Sequence, residues 1–349
     1  MASDIAHLWR VYAATGPGSD APVYRAIATS VADDYDLLAI ATEAPPAAHH
    51  PNHLLAAVRF LLLAGVSHPL EEAYDAEDVV AAVALFKPFV LEHRGDIVEL
   101  LQHRRVQTNE VGRTSAIAPA LAHVARSARR GLGLVEVGAS AGLNLLVDRC
   151  YLDYGAMQVG EASSPIRIDC AVDTPPAAFN MADLSLSWRK GLDQAPIDVN
   201  DEESVRWLLA CVWVGQTDRQ DRLRVALDMA SGEGVSVVKG DAVADLGAMV
   251  DQIPDDLHAV VLTSWVTFYL NVTQRVDFEQ ALANCRRPVS WLSIEHPGVV
   301  VDIDRPSTRS EQEVTPSVVA HVQYSSEGDR SAEFLGWAHP HGSWLDWYG

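Results

Sequence analysis

The spacing of apolar residues changes near residue 130. Before that point, apolar positions recur at the three- and four-residue spacing of amphipathic helices in Ala56–Leu63, Val79–Val90 and Ala116–Ala128, with proline-containing breaks along the chain. No run of β-branched residues with the character of a strand precedes Leu132. Residues 1–130 are therefore predicted to form a helical N-terminal cap region.

After residue 130, short apolar runs alternate with helical patterns. Five strands are predicted, at Leu132–Val137, Leu184–Arg189, Val235–Lys239, Ala259–Ser264 and Val289–Ile294. Helices are predicted between them, at Ala141–Arg149, Ser204–Ala230, Ala244–Gln252 and Gln274–Cys285. This alternation indicates βαβ units around a mainly parallel sheet. We expect residues 131–349 to form one α/β domain, with an insertion at about 151–183 and a C-terminal antiparallel hairpin from Val318–Tyr324 and Glu333–Trp337.

Charge and hydropathy exclude two classes of partner. The 349 residues carry a net charge of −21, whereas nucleic-acid binding normally requires a basic surface. The most apolar stretch, Leu54–Val66, is too short to span a bilayer and contains Arg59. Charged residues near the N-terminus make a secretory signal improbable. We expect a cytoplasmic protein that acts on a small molecule, with no nucleic-acid or membrane partner; the pattern does not set the oligomeric state.

The spacing of cysteines and histidines predicts no metal site. The four cysteines lie far apart, without the paired spacing of a zinc site or a disulfide framework, and are interpreted as buried reduced thiols. His49, His50 and His53 lie at a proline break, so we interpret them as part of a solvated loop and not as a metal site.

The segment after the first predicted strand carries the strongest functional signal. Glu136 near the strand end is followed by Gly138, Ser140 and Gly142 at alternate positions, and Asn144 lies in the first turn of the next predicted helix. A strand, a tight turn of small residues and a helix N-terminus bring backbone N–H groups against a ligand. Glu136-x-Gly138-x-Ser140-x-Gly142 resembles the first motif of S-adenosylmethionine-dependent methyltransferases. Serine at the middle position suits this cofactor better than NAD, whose pyrophosphate needs closer backbone approach.

The same letters permit two other interpretations. Gly138-x-Ser140-x-Gly142 also spells the nucleophile elbow of serine hydrolases. The serine hydrolase fold requires several strands and an oxyanion loop before the nucleophile, but this chain has a helical pattern there. The hydrolase motif also assigns no role to an acid at the position of Glu136. Alternatively, the glycines are purely structural.

Three later strand ends extend the cofactor hypothesis. Asp193 follows the second predicted strand and is placed to bind ribose hydroxyls, and Asp241 follows the third, where an acid commonly contacts adenine. Each aspartate is also a reasonable N-cap of the next helix. The fourth strand ends at Ser264, which we assign to the cofactor site, although methyltransferases often carry an acid there. The missing acid motivates an alternative, a non-catalytic ligand-binding protein.

Candidate substrate-binding and catalytic residues come from three other segments. Asn109, Glu110 and Arg113 precede the helix before the first strand, and either form a helix cap that begins at Thr108 or fold over the ligand and bind substrate. Glu295 and His296 follow the last parallel strand, on the carboxyl edge where α/β proteins bind ligands. Glu295 and His341 are the candidate bases, and His296 is assigned to substrate binding.

With these residues in view, nearly the whole chain resembles the bacterial family catalogued as domain of unknown function 2332. The resemblance is carried by Arg104–Arg113, Glu136–Leu145, Trp188–Asp193 with Pro196, Gly240–Ala242, Glu295 with Pro297–Gly298, and Pro340–Leu345. It implies a methyltransferase-like Rossmann sheet but no settled activity. His296 and Trp265 depart from the family pattern. We therefore expect S-adenosylmethionine as cofactor and methyl transfer to an unidentified small acceptor, with the non-catalytic protein and a hydrolase using Ser140 as alternatives.

Overall fold

The computed structural model describes residues 2–15, 21–46, 49–307 and 315–349. The chain divides into two compact units, one of Met1–Thr108 with Asn200–Arg224 and one of Asn109–Val199 with Val225–Gly349. The predicted division at residue 130, between a helical cap region and a methyltransferase-like Rossmann domain, stays a prediction.

The first unit is built from helices. Its helices are α1 Ala2–Thr15, α2 Pro22–Ala32, α3 Tyr35–Ala41, α4 Pro51–Leu63, α5 Pro69–Asp75, α6 Val79–Glu92, α7 Arg94–His103 and α9 Glu202–Ala210, and it includes the start of α10, Thr217–Glu233. Proline in the first turn starts α2, α4 and α5, where its missing N–H costs nothing. Trp9, Tyr24 and Trp207 are fully buried in its core.

The histidines near Pro51 do not form the solvated loop that we expected. Pro51 begins α4, and the His50 ring caps this helix by accepting a hydrogen bond from Asn52 N. His53 lies inside the helix and is buried. The proline break is thus a helix start, as proline at this position favours. None of the helices in the described ranges is both long and apolar enough to cross a membrane.

The second unit contains the sheet. Its strands are β1 Leu132–Val137, β2 Tyr151–Asp153, β3 Gln158–Val159, β4 Arg167–Asp169, β5 Ala171–Val172, β6 Leu186–Asp193, β7 Val237–Lys239, β8 His258–Ser264, β9 Val289–Glu295, β10 Ser317–Tyr324, β11 Arg330–Ala338 and β12 Trp344–Trp347. Nine of them form one sheet in the order β5-β12-β11-β10-β9-β8-β1-β6-β7, while β2, β3 and β4 form a small second sheet within the predicted insertion.

The prediction of a mainly parallel sheet is confirmed. β7, β6, β1, β8 and β9 are parallel neighbours, and β10 to β12 continue the sheet as an antiparallel meander. The chain passes from β1 to β6 and β7 on one side and returns to β8 on the other. A crevice for ligands is expected beyond the carboxyl ends of β1 and β8, where the direction of strand addition reverses.

Helices cover both faces of this sheet. Val135 and Val137 of β1 pack in a core with residues of α11, Leu246–Val250, and α12, Val272–Ala283. Because side chains alternate along a strand, Glu136 points to the opposite face. On that face, α8, Thr114–Ala128, packs near β9 and β10. The only charged side chain of β1 is thus turned away from the apolar α11–α12 core.

Two predicted helices and one strand differ from expectation. Residues Leu143–Arg149 form a 3-10 helix with a kink at Leu146, rather than an α-helix. The predicted helix Ser204–Ala230 is divided into α9 and α10, and Gly215, with a φ of 85°, lies between them in a conformation that favours glycine. β12 was not predicted, because its four residues are too few to show alternation.

Candidate functional site

The turn after β1 is closely packed at its two glycines. Gly138 and Gly142 have φ values of 72° and 73°. A Cβ atom would lie 2.2 Å from Val266 Cγ2 at Gly138 and 2.5 Å from Val235 Cγ1 at Gly142. Both the backbone conformation and the available space therefore require glycine. Ser140 adopts a φ of 54°, which is uncommon for a residue with a side chain.

Asp193 connects the end of β6 to this turn. One of its carboxylate oxygens accepts a hydrogen bond from Ser140 N over 2.8 Å, and the other accepts from Ala195 N over 2.8 Å. Gly138 N donates to Leu192 O over 2.7 Å. The predicted contact of Asp193 with ribose stays a prediction, but its place beside the turn agrees with a role there.

Asp241 caps the turn that precedes α11, while the N-cap position of that helix is Asp245. Asp241 Oδ1 accepts hydrogen bonds from Val243 N and Ala244 N, and these bonds lower its pKa. Gln194 Nε2 donates to its Oδ2 over 3.2 Å and so joins the loops that follow β6 and β7. The proposed adenine contact is untested. We did not single out Gln194 from the sequence, since a glutamine in a loop carries no pattern.

Among the described residues, three buried polar atoms around the turn have no hydrogen-bond partner. Asn144 Nδ2 donates to Glu136 Oε1 over 2.8 Å. Glu136 Oε2, Asn144 Oδ1 and Ser140 Oγ are buried and make no hydrogen bond within the described residues. Buried polar atoms are satisfied in the great majority of cases, so each exception needs an explanation. A bound polar ligand is one such explanation.

Glu136 is the buried acid of this group. Its pKa is raised to about 8, chiefly by burial; the hydrogen bond from Asn144 and the charge of Arg113 oppose this shift, and the nearby charge of Asp193 adds to it. Glu136 therefore holds its proton near neutral pH. A cation bound beside it would favour loss of that proton.

The segment Asn109–Arg113 approaches the same turn. Asn109 Oδ1 accepts a hydrogen bond from Leu143 N over 3.0 Å and thereby caps the helix that follows Gly142. Glu110 caps the short 3-10 helix Val111–Arg113 through its bond from Gly112 N. The helix cap at Thr108 that we considered is thus wrong, because the carboxylate two residues later takes that position.

Arg113 links the end of β8 to the C-terminal turn. It is buried, and its Nη1 donates to Ser264 O over 2.9 Å and to Ser264 Oγ over 3.3 Å. Its Nε donates to Pro340 O over 2.8 Å. Ser264 and Arg113 are therefore brought together as the cofactor and substrate assignments require, although their roles are untested.

The turn that contains His341 packs tightly against Gly112. A Cβ atom on Gly112 would lie 2.2 Å from His341 O, and one on Gly342 would lie 1.9 Å from Gly112 O. Ser115 Oγ donates to Gly342 O over 3.0 Å. This close backbone contact explains why glycine occupies positions 112 and 342, and it places His341 beside the Arg113 segment. Its role as a base stays a prediction.

Glu295 holds the turn that follows β8. Its carboxylate accepts hydrogen bonds from the backbone N–H groups of Val266, Thr267 and Phe268, at distances of 2.9 to 3.3 Å. Burial raises its pKa, and these backbone bonds oppose the rise. Trp265, at the start of the turn, has a φ of 55°. Glu295 thus stabilises the backbone of the turn after β8, and its predicted catalytic role is untested.

His296 belongs to an aromatic group. Its ring centroid lies 4.8 Å from that of Phe268 and 6.2 Å from that of Trp265. Tyr269 continues the group beyond Phe268 and is largely exposed. The concentration of aromatic residues at 265–269 was visible in the sequence, but only the turn imposed by Glu295 brings it to His296. Substrate binding by His296 remains to be tested.

Comparison with known proteins identifies a family and no activity. The family model described as an uncharacterised protein conserved in bacteria, domain of unknown function 2332, matches residues 6–347. The chain therefore belongs to this family. No curated protein matches it.

Proposed function

We propose that this family member binds S-adenosylmethionine at the carboxyl edge of β1 and transfers its methyl group to a small-molecule acceptor. The proposal rests chiefly on one observation, the unsatisfied oxygens of Glu136 and Asn144 beside the glycine-containing turn. The strand order supports the same location, since the direction of strand addition reverses between β1 and β8.

The type of unsatisfied atom favours a ligand with a cationic end. Asn144 Oδ1 only accepts hydrogen bonds, and Glu136 Oε2 is also an acceptor once the acid is ionised. An ammonium group has three donors and no acceptor, so it matches both atoms. The amino-acid end of S-adenosylmethionine carries such a group. Ser140 Oγ either donates or accepts and is suited to the adjacent carboxylate.

The remaining parts of the cofactor fit the next two strand ends. Asp193 and Asp241 already accept hydrogen bonds from the protein, but a carboxylate has about four lone-pair sites and retains acceptor capacity. Asp193 is proposed to accept from the ribose hydroxyls, and Asp241, with Gln194, to lie at the adenine end. The turn at Val266 is proposed to shield the reacting centre from water.

The cofactor supplies a methyl group that its sulfonium already activates. The protein's main contribution is then to position the acceptor, for which effective molarities of ~10⁵–10⁸ M are possible. A base adds ~10²–10⁴-fold where the acceptor must lose a proton. Glu295 is committed to the backbone of the turn after β8, so His341 is the preferred base.

The alternative function, a serine hydrolase, requires a general base close enough to accept the proton of the Ser140 hydroxyl. Within the described part of the chain, the Ser140 hydroxyl makes no hydrogen bond to a histidine or to any other group, whereas a serine nucleophile needs a general base within reach. Covalent labelling of Ser140 by a fluorophosphonate would favour the hydrolase. We expect no labelling.

Calorimetric titration with S-adenosylmethionine tests the proposal. We expect the wild type to bind one molecule per chain and Glu136→Gln to bind at least tenfold more weakly. Glu327→Gln, which changes an exposed acid between β10 and β11, is the control and should bind like the wild type. Absence of binding to the wild type would overturn the proposal. Binding without methyl transfer to any acceptor in a broad panel would instead favour the non-catalytic protein.

A further inference from the structure

A second group of chemically active side chains lies away from the candidate ligand site. His123 in α8, His321 in β10 and Glu333 in β11 place one nitrogen or oxygen atom each within 4.8 Å of one another. The nearby residues His258 and Ser290 lie at the amino ends of β8 and β9. The group therefore lies at the opposite edge of the parallel strands from Glu136.

The fold fixes the positions of these three side chains. His321 and Glu333 are directly opposite each other in the antiparallel pair of β10 and β11, so their side chains share one face of the sheet. α8 packs on that face and contributes His123. Glu333 Oε1 lies 2.5 Å from His123 Nε2 and 3.1 Å from His321 Nδ1.

The distances suit a bound metal ion after a small adjustment. Tetrahedral Zn²⁺ with bonds of about 2.0–2.1 Å places its ligand atoms about 3.3 Å apart. The Glu333 side chain is 52% exposed, which leaves it room to move by the required amount. His123 is partly exposed as well, which leaves the fourth position open to water or another ligand.

The environment of His321 provides an independent argument. Its side chain is fully buried, and its Nε2 lies 2.9 Å from Ser290 Oγ, which lies 2.9 Å from His258 Nε2. If Nε2 carries the proton, it donates to Ser290, Ser290 donates to His258, and Nδ1 faces Glu333 with a lone pair. Two acceptors then lie 3.1 Å apart, and a cation between them favours this tautomer over the one in which Nδ1–H donates to Glu333.

This arrangement is the one that metal-binding histidines use. A ligating histidine generally donates its other ring N–H to a neighbouring acceptor, which fixes its tautomer and orientation. Ser290 is in the correct place to accept that bond. From these contacts we propose that His123, His321 and Glu333 bind one divalent transition-metal ion, Zn²⁺ being the best match to two histidines and one carboxylate. The absence of a metal motif in the sequence has a simple reason, since the ligands are 12 or more residues apart and are brought together only by strand pairing and helix packing.

Metal titration of the full chain tests this site. After treatment with a chelator, the wild type is expected to bind one Zn²⁺ ion with micromolar or tighter affinity, with no competition from Mg²⁺. His123→Ala and Glu333→Gln are expected to weaken this binding at least tenfold. Both positions are partly exposed, so the variants should fold. His7→Ala replaces an exposed histidine of the first unit and is the control.

Two further measurements separate metal binding from a structural hydrogen-bonded cluster. Ser290→Ala is expected to weaken Zn²⁺ binding by ~10–100-fold, as the loss of a partner of a ligating histidine does. Co²⁺ in place of Zn²⁺ should give the visible absorption of a tetrahedral site in the wild type and not in His123→Ala. Unchanged Zn²⁺ affinity in both ligand variants, or no binding by the wild type, would overturn the assignment. Neither outcome depends on S-adenosylmethionine.

Discussion

Asn144 donates a hydrogen bond to Glu136 over 2.8 Å and leaves the second oxygen of Glu136 buried and without a partner among the described residues. This pair joins the end of β1 to the helix after the turn. It also makes the site unusual energetically, because an unsatisfied buried polar group costs about 1–3 kcal/mol. The two residues are thus maintained at a cost to stability, which is typical of a site built for a ligand.

Glu136 is expected to make stability fall with rising pH. The folded protein holds the Glu136 proton up to a pKa of about 8, whereas the unfolded chain loses it near 4.5. Below both values the acid has no effect, and between them the unfolded state is progressively favoured. Each pKa unit corresponds to about 1.4 kcal/mol, so the total is a few kcal/mol. Urea unfolding of Glu136→Gln should therefore show greater stability than the wild type at pH 8 and a smaller difference at pH 5. A constant difference across this range would contradict the assigned pKa.

Gly138→Ala is expected to destabilise the protein through both strain and collision. The new Cβ atom would lie 2.2 Å from Val266 at a φ of 72°. Overpacking typically costs about 1–3 kcal/mol, in addition to the strain of the backbone. Gly155→Ala is the matched control, since Gly155 has a φ of 79° but open space around it. Urea midpoints should show a clearly larger loss for Gly138→Ala. Equal losses would show that Val266 moves aside freely.

Glu295→Gln is expected to loosen the turn after β8. The variant loses the charge that strengthens the bonds from Val266, Thr267 and Phe268. Hydrogen bonds to charged groups contribute about 1.5–3 kcal/mol. Amide hydrogen exchange should accelerate at these three positions. If exchange is unchanged while methyl transfer is lost, Glu295 acts as a catalytic base and not chiefly as an anchor.

Asp193→Asn is expected to weaken cofactor binding with a modest loss of stability. The amide keeps one oxygen acceptor, so only one of the bonds from Ser140 N and Ala195 N survives. The expected loss is about 1–3 kcal/mol in urea unfolding. Asp256→Asn changes an exposed aspartate and should show neither effect. If a folded Asp193→Asn variant binds S-adenosylmethionine as tightly as the wild type, Asp193 does not contact the cofactor.

The alternating pattern predicted most of the sheet because its central strands are buried on both faces. β1 was predicted with its exact bounds, and the other four parallel strands were displaced by a few residues at their ends. Length and apolar composition suffice for such strands. β12 and the strands of the insertion were less visible, since two to four residues give no periodicity.

The sequence predicted which residues of the candidate site lie at strand ends. It did not predict which of these residues contact each other. Parallel strands necessarily bring Glu136, Asp193 and Ser264 to one edge. The bonds from Arg113 to Ser264 and Pro340 span 151 and 227 residues of sequence. No local pattern specifies such long-range contacts. The cluster of His123, His321 and Glu333 was not predicted for the same reason. Only strand register and helix packing bring these three residues together.

Proton release on binding of S-adenosylmethionine is the sharpest test of the proposed site. At pH 7 the apo protein holds most of the Glu136 proton, given its pKa of about 8. An ammonium group bound beside Glu136 lowers that pKa and should release close to one proton. Calorimetry of S-adenosylmethionine binding in two buffers of different ionisation enthalpy measures this number. The wild type should release nearly one proton on binding, and Glu136→Gln, which should bind more weakly, should release little. Binding by both proteins with equal affinity and no proton release would contradict it.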